Sequence, residues 1–164
     1  MSSNRVVCFD VNGRQETVDV PCNEMLVQTL RERLFLTGAK VACEEGRCGS
    51  CTIHLNGHAV NSCIVLTADA DGAAITTIEG LADGDELHVM QQAFIDGSGL
   101  QCGYCTPGMI MAAISILEDN PDASESEIRC ELSGNICRCT GYKKIIESVQ
   151  LAQSRMKSEK ESGS

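Results

Sequence analysis

Alternation of apolar and polar positions opens the chain. Arg5–Val11 (RVVCFDV) and Arg14–Val20 (RQETVDV) read as two strands, each half-buried. Between them stands Asn12-Gly13, a pair that tolerates positive φ at both positions and so predicts a tight hairpin. In residues 24–34, EMLVQTLRERL, the spacing lengthens to that of a helix, with Leu26, Leu30 and Leu34 on one stripe. Strand patterning returns in CTIHL (51–55) and HAVNSC (58–63), which flank a second Asn-Gly at 56 and 57, and a further strand is expected over ITTIEGL (75–81). Two hairpins and one crossing helix predict a small α+β unit in which the sheet grips the helix.

After Gly80 the period becomes helical. ELHVMQQAFI (86–95) places Leu87, Met90, Gln91 and Phe94 on one face. TPGMIMAAISILEDNP (106–121) predicts a second helix, with Thr106 as N-cap, Pro107 at the first helical position and Pro121 beyond the end. Ser124 and Glu127 form a capping box that opens a third. GYKKIIESVQLAQSRM (141–156) predicts a fourth, leaving residues 156–164 as a polar, disordered tail. The expected division is therefore residues 1–80, residues 81–155 as a bundle of four helices, and the tail, with the joint inside EGLADGD (79–85).

Composition adds two constraints. The chain of 164 residues has no Trp, three Phe and two Tyr, so its cores must be built from aliphatics and Met, and Met109 and Met111 are expected inside the bundle. Thin cores call for staples, and eleven cysteines could supply them. An odd count cannot pair completely. MSSNRVVCFD lacks a basic segment followed by an apolar run, so a reducing cytoplasm is expected, where clustered thiols read as metal ligands. The formal charge of −10 argues against a nucleic-acid partner. The longest apolar run, GMIMAAISIL, is about half of a membrane span.

The thiols fall into two sets. Cys43-x4-Cys48-x2-Cys51, within CEEGRCGSC, is followed by Cys63 in the spacing of a plant-type ferredoxin cluster. Gly46 and Gly49 in that loop allow positive φ, which would turn backbone N–H groups toward the sulfurs. The second set is Cys102-x2-Cys105 with Cys137-x-Cys139, and each pair runs into Cys-Thr and then a predicted helix. With Thr106 and Thr140 as N-caps, two helix N-termini would face one site and favour the negative charge of a four-thiolate [2Fe–2S] centre. Structural zinc is the competing reading, weaker for the first set because zinc sites seldom use a four-residue gap, and close to equal for the second taken alone. Cys8 reads as a small core residue. Cys22 and Cys130 carry no assigned role, and His54, His58 and His88 read as surface positions.

CEEGRCGSC with Cys63, LQCGYCTPGMI and GNICRCTGY, in that order, resemble the iron–sulfur small subunits of the molybdenum hydroxylases, the xanthine oxidase and carbon monoxide dehydrogenase small-subunit family in its bacterial split form. The resemblance spans about residues 5–153. It implies a β-grasp, ferredoxin-like domain ahead of a four-helix domain, each with one [2Fe–2S] cluster. Metal ligands would be Cys43, Cys48, Cys51 and Cys63, and Cys102, Cys105, Cys137 and Cys139. It further implies a large subunit carrying molybdopterin, often as the cytosine dinucleotide, with Gln101 and Cys139 contacting the pterin. A medium subunit with FAD usually completes the assembly, a hetero-oligomer of large, medium and small chains in two copies.

No dinucleotide fingerprint stands out, since GSGLQCG has Cys102 where a third glycine belongs, and no Ser/His/Asp or paired-carboxylate constellation does either. The chain is thus expected to relay electrons within an oxidoreductase without being its catalytic subunit. The alternatives are a free-standing two-cluster electron carrier and a zinc-stabilised interaction module.

Overall fold

The computed structural model describes residues 3–162. Strands β1 (Asn4–Val11) and β2 (Arg14–Pro21) form the expected hairpin, with Val7 opposite Val18 and Val11 opposite Arg14. Strands β3 (Thr52–Leu55) and β4 (His58–Asn61) form the second, and β5 (Ala74–Thr76) lies between the two hairpins. Among the described residues these make one mixed sheet in the order β2-β1-β5-β3-β4, in which β5 runs parallel to β1 and antiparallel to β3. β5 is shorter than expected. After Thr76 the chain bends into a 3₁₀ turn at Ile78–Gly80, because Asn12 holds the Thr77 backbone: its Oδ1 accepts from Thr77 N–H at 2.9 Å and its Nδ2 donates to Thr77 Oγ1 at 3.0 Å.

The sheet covers one apolar layer. Val7, Phe9 and Val11 of β1, Val18 and Val20 of β2 and Ile53 and Ile75 point inward onto Leu26 and Leu30. With Val7 and Phe9 inside, the pleat sends Cys8 outward, so the expectation of a core cysteine is corrected: it is exposed, with its sulfur 3.3 Å from Thr17 Oγ1. The crossing helix also departs from the regular 3.6-residue stripe. Helix α1 (Leu26–Gln28) widens at once into a π-helical turn over Thr29–Arg33, where Leu34 N–H reaches back to Thr29. Leu26 and Leu30 stay fully buried while Leu34 is only half-buried.

That turn is pinned by Glu24, which accepts from Arg33 Nε and Nη2 at 2.7 and 2.6 Å and from Thr29 Oγ1 at 2.6 Å. The bond from Arg33 comes first among the causes that hold the Glu24 carboxyl below its ordinary range. A depressed folded-state value means stability that is present above the unfolded pKa of about 4.3 and is lost as pH falls through the folded value. We expect Glu24→Gln to cost about 1 kcal/mol at pH 7, and thermal melts of the two proteins to converge near pH 3. Equal melts at pH 7 would show that the pin is not stabilising.

The second half has its own core. Helices α2 (Val89–Asp96), α3 (Thr106–Asp119), α4 (Glu125–Glu131) and α5 (Lys143–Ser162) bury Met90, Phe94, Met109, Ile110, Ile128, Ile145 and Val149 together. Met111 is also fully buried. His88 is not a surface residue of α2 but its N-cap, accepting from Met90 N–H at Nδ1, and this places Leu87 ahead of the helix and exposed. The capping box at α4 forms as its sequence predicts, with Ser124 N–H donating to Glu127 at 2.7 Å. α5 carries helical backbone through Ser162, into the stretch expected to be disordered; Gln153 ties its middle to the carbonyls of Pro121 and Ala123. Residues 163 and 164 lie outside the described residues.

Candidate metal centres

The first cysteine loop leaves the crossing helix and returns into β3. Gly46 and Gly49 have φ of +72° and +68°, the left-handed conformation their lack of Cβ allows. The turn directs N–H groups inward: Glu45 and Arg47 donate to Cys43 Sγ at 3.5 and 3.4 Å. These two bonds, that from Glu45 foremost, lower the Cys43 thiol to about 6. Cys43 also exchanges a hydrogen bond with Cys48, and Cys51 does so with Cys63. Burial, then the neighbouring Cys51, pushes Cys63 up to about 12, against a backbone N–H from Gly46. One pair is half-buried and the other is buried.

The second set converges from two loops. Cys102 and Cys105 precede α3, while Cys137 and Cys139 precede α5. Cys139 Sγ lies 3.5 Å from Cys102 Sγ, and Cys105 shares a hydrogen bond with Cys137. Burial, followed by that contact, raises Cys105 to about 12. Cys102 is lowered, chiefly by the backbone N–H of Tyr104. The thiols thus pair two and two in both sets. Two sulfurs on one tetrahedral metal, each about 2.3 Å from it, stand about 3.8 Å apart. The Cys102–Cys139 separation is close to that. Among the described residues no three metal-ligating side chains gather around one point. Thiols paired two and two suit a cluster of two irons, each iron taking two cysteines.

Neither expected threonine cap forms. Thr106 is the first residue of α3 and Cys105 is its N-cap, so the cysteine itself sits at the helix N-terminus. Thr140 lies in the loop before α5, where its hydroxyl donates to Cys137 Sγ at 3.2 Å and accepts from Tyr142 N–H. Tyr142 Oη accepts from Cys137 N–H at 2.9 Å. A tyrosine directly after Cys-Thr-Gly gave no sign of this return in the sequence. Gln101 is exposed, next to exposed Cys102, as is Cys139.

The two loops meet. Ile136 N–H donates to the Cys48 carbonyl at 2.9 Å, and Asn135 Nδ2 donates to the Gly49 carbonyl at 3.0 Å. Tyr104 Oη donates to the Val41 carbonyl. His54, expected at the surface, is buried in this seam with Nε2 donating to the Met111 carbonyl of α3 at 2.8 Å. Gly49 and Gly108 face each other so closely that a Cβ on Gly108 would lie 2.2 Å from the Gly49 carbonyl oxygen. No helix among the described residues is long and apolar enough to cross a membrane.

Residues 9–82 match the family described as 2Fe-2S iron-sulfur cluster binding domain, and residues 77–150 match the [2Fe-2S] binding domain family. The chain is 49% identical to the nicotine 6-hydroxylase small subunit of Paenarthrobacter nicotinovorans, covering 90% of this chain and 89% of that one. It is 43% identical to the nicotinate dehydrogenase small FeS subunit of Eubacterium barkeri, covering 90% and 94%. Quinoline 2-oxidoreductase from Pseudomonas putida 86 superposes with a TM-score of 0.89 at 41% identity, over 95% of this chain and 98% of the matched one. The aldehyde oxidoreductase from Desulfovibrio gigas does so with 0.89 at 39%, where this chain corresponds to 17% of the longer protein. With two [2Fe–2S]-binding domains in one chain and full-length likeness to small iron–sulfur subunits, the protein belongs to the iron–sulfur small subunits of the molybdenum hydroxylase family.

Proposed function

We propose that this chain is the electron-relay subunit of a molybdenum hydroxylase, with Cys43, Cys48, Cys51 and Cys63 holding one [2Fe–2S] cluster and Cys102, Cys105, Cys137 and Cys139 the other. The observation that carries this is the pairing of both cysteine quartets on either side of one hydrogen-bonded seam. When bound, the clusters supply two one-electron carriers, so a two-electron oxidation elsewhere can be passed on in single steps. The residues around them anchor, orient and shield. N–H groups of Glu45 and Arg47 and the Thr140 hydroxyl point at sulfur and favour the thiolate form.

We assign residues 1–80 to a β-grasp, ferredoxin-like domain and 81–155 to a four-helix domain; their separate cores support the division. The second site is lopsided, with Cys102 and Cys139 exposed and Cys137 buried against the seam. Its open edge, bordered by Gln101 and by exposed Leu100, Tyr104 and Ile136, suits a large subunit whose molybdopterin, as the cytosine dinucleotide, would meet Gln101 and Cys139. Electrons would then cross the seam to the first cluster and leave for FAD on a medium subunit. The assembly is a cytoplasmic hetero-oligomer of large, medium and small chains.

Purification of the chain with its native partners tests this. About four iron and four acid-labile sulfide per chain, a brown colour, and co-elution with molybdenum- and flavin-containing chains are expected. Zinc in place of iron, or one cluster only, overturns the ligand assignment. Two clusters in a chain that elutes alone from native extract would mark a free-standing carrier instead.

A further inference from the structure

Of the hydrogen bonds that reach the eight ligand sulfurs among the described residues, one comes from a side-chain hydroxyl. Thr140 Oγ1 donates to Cys137 Sγ at 3.2 Å. The first set has no counterpart, since Cys43 is served by the backbone N–H groups of Glu45 and Arg47. The two sites thus differ in a donor that can be removed without touching the backbone. Cys137 is also the buried sulfur of its set, 7% exposed, while Cys102 and Cys139 are exposed. Water cannot readily replace a donor lost there, and with little solvent to screen it the bond is electrostatically stronger than at the surface.

The direction of this bond is fixed by the turn that carries it. Gly141 and Tyr142 both have positive φ, +63° and +67°, the second uncommon for a bulky side chain. That conformation turns Tyr142 N–H back onto Thr140 Oγ1 at 3.2 Å. The hydroxyl therefore already accepts a bond, and its one proton goes to sulfur. A hydroxyl that accepts while it donates is the better donor for it. Tyr142 is held in turn, its ring against the core of the helical half and its Oη accepting from Cys137 N–H at 2.9 Å. A cysteine bound to metal has no S–H, so towards such a sulfur Thr140 can only donate.

We propose that the Thr140 hydroxyl raises the reduction potential of the second cluster and leaves that of the first where it is. This deepens the relay reading given above and rests on it. Reduction brings one electron, and with it one more negative charge, to the site at Cys137; the hydroxyl proton stays on Thr140 and no bond breaks. A donor aimed at sulfur stabilises the reduced state more than the oxidised one, because the charge it faces has grown. The site assigned to the molybdenum side thereby becomes the readier acceptor of each electron.

The test is a redox titration of the purified complex, with mediators supplying the electrons and the paramagnetic signal of each reduced cluster read separately. Thr140→Val keeps the shape and removes the hydroxyl. Thr140→Ser keeps the hydroxyl and removes the methyl group. In Thr140→Val the share of a single electron held by the second cluster, relative to the first, should fall about tenfold, a drop of about 59 mV for a one-electron couple. Thr140→Ser should titrate close to wild type. The potential of the first cluster and the iron content should be the same in all three proteins.

A second-cluster potential in Thr140→Val equal to wild type, with both clusters present, overturns the proposal. So does a serine variant that falls as far as the valine one, which would trace the effect to packing, or an equal fall in both clusters. Should Thr140→Val not assemble its second cluster, the smaller Thr140→Ala takes its place. Loss of that cluster from both would make Thr140 a group needed for assembly, and likewise overturns the tuning role. Because mediators rather than substrate deliver the electrons, a wild-type complex in which substrate reduces neither cluster removes the relay reading alone.

Discussion

Cys137→Ser is expected to leave the chain with about two irons in place of about four, all of them in the first cluster. The reason lies in what surrounds that sulfur. Cys137 is buried, its thiol accepts from Thr140, its N–H is held by Tyr142, and it shares a hydrogen bond with Cys105 at the start of α3. A cluster at this point joins the loop before α5 to the N-terminus of α3, two segments otherwise connected through α4. Cluster binding is therefore also folding free energy, and losing it should lower the stability of the helical half by several kcal/mol. Cys48→Ser should do the reverse, emptying the first site and sparing the second, whose core is built from α2 to α5. Iron analysis together with the two paramagnetic signals of the reduced protein reads both outcomes. If either substitution removed both clusters, the two halves would have to be one folding unit.

The contrast between these halves and the seam explains what could be read from the chain alone. Local chemistry was legible wherever a few neighbouring residues decide the outcome. Asn12-Gly13 and Asn56-Gly57 turn as hairpins, both with positive φ, because nothing distant is needed to make them do so. The same holds for the capping box at Ser124 and for the glycines at 46 and 49. Cysteine spacing, too, announces which thiols can converge, since loop length limits reach.

Positions decided by tertiary contact were read wrongly or not at all. His54 sits on a strand whose alternation is blind to the helix packed on its other face, and so its bond to Met111 had no local sign. Cys8 follows the alternation of β1, but the register fixed by Val7 and Phe9 turns it out. Thr106 and Thr140 follow cysteines in the same way, yet one begins a helix and the other bonds the sulfur three residues back. Asn135 and Ile136 look like spacer residues between Gly134 and Cys137. Their partners lie 86 and 88 residues earlier, across the seam.

Gly108→Ala offers the sharpest test of that seam, because helix propensity and packing predict opposite signs. Gly108 lies in the first turn of α3, and replacing a helical glycine by alanine ordinarily stabilises by up to about 1 kcal/mol. Here the added Cβ would fall 2.2 Å from the carbonyl oxygen of Gly49 and 3.2 Å from the Ser50 carbonyl carbon, both backbone atoms. A flexible side chain could swing aside. The Gly49 carbonyl cannot, since Asn135 and Thr52 hold it and its own φ is positive. Relief must come from moving α3 away from the first cysteine loop, which strains the Ile136–Cys48 and His54–Met111 bonds as well. Overpacking of this kind costs about 1–3 kcal/mol, and the lost propensity gain makes the departure from a helix-only expectation larger still. For a chain of this size that lowers the melting temperature by roughly 3–10 °C. The magnetic splitting between the reduced clusters should shrink at the same time, since the loops that carry them are pushed apart. A melting temperature at or above wild type, with the splitting unchanged, would show that α3 does not press on the Gly49 loop in solution.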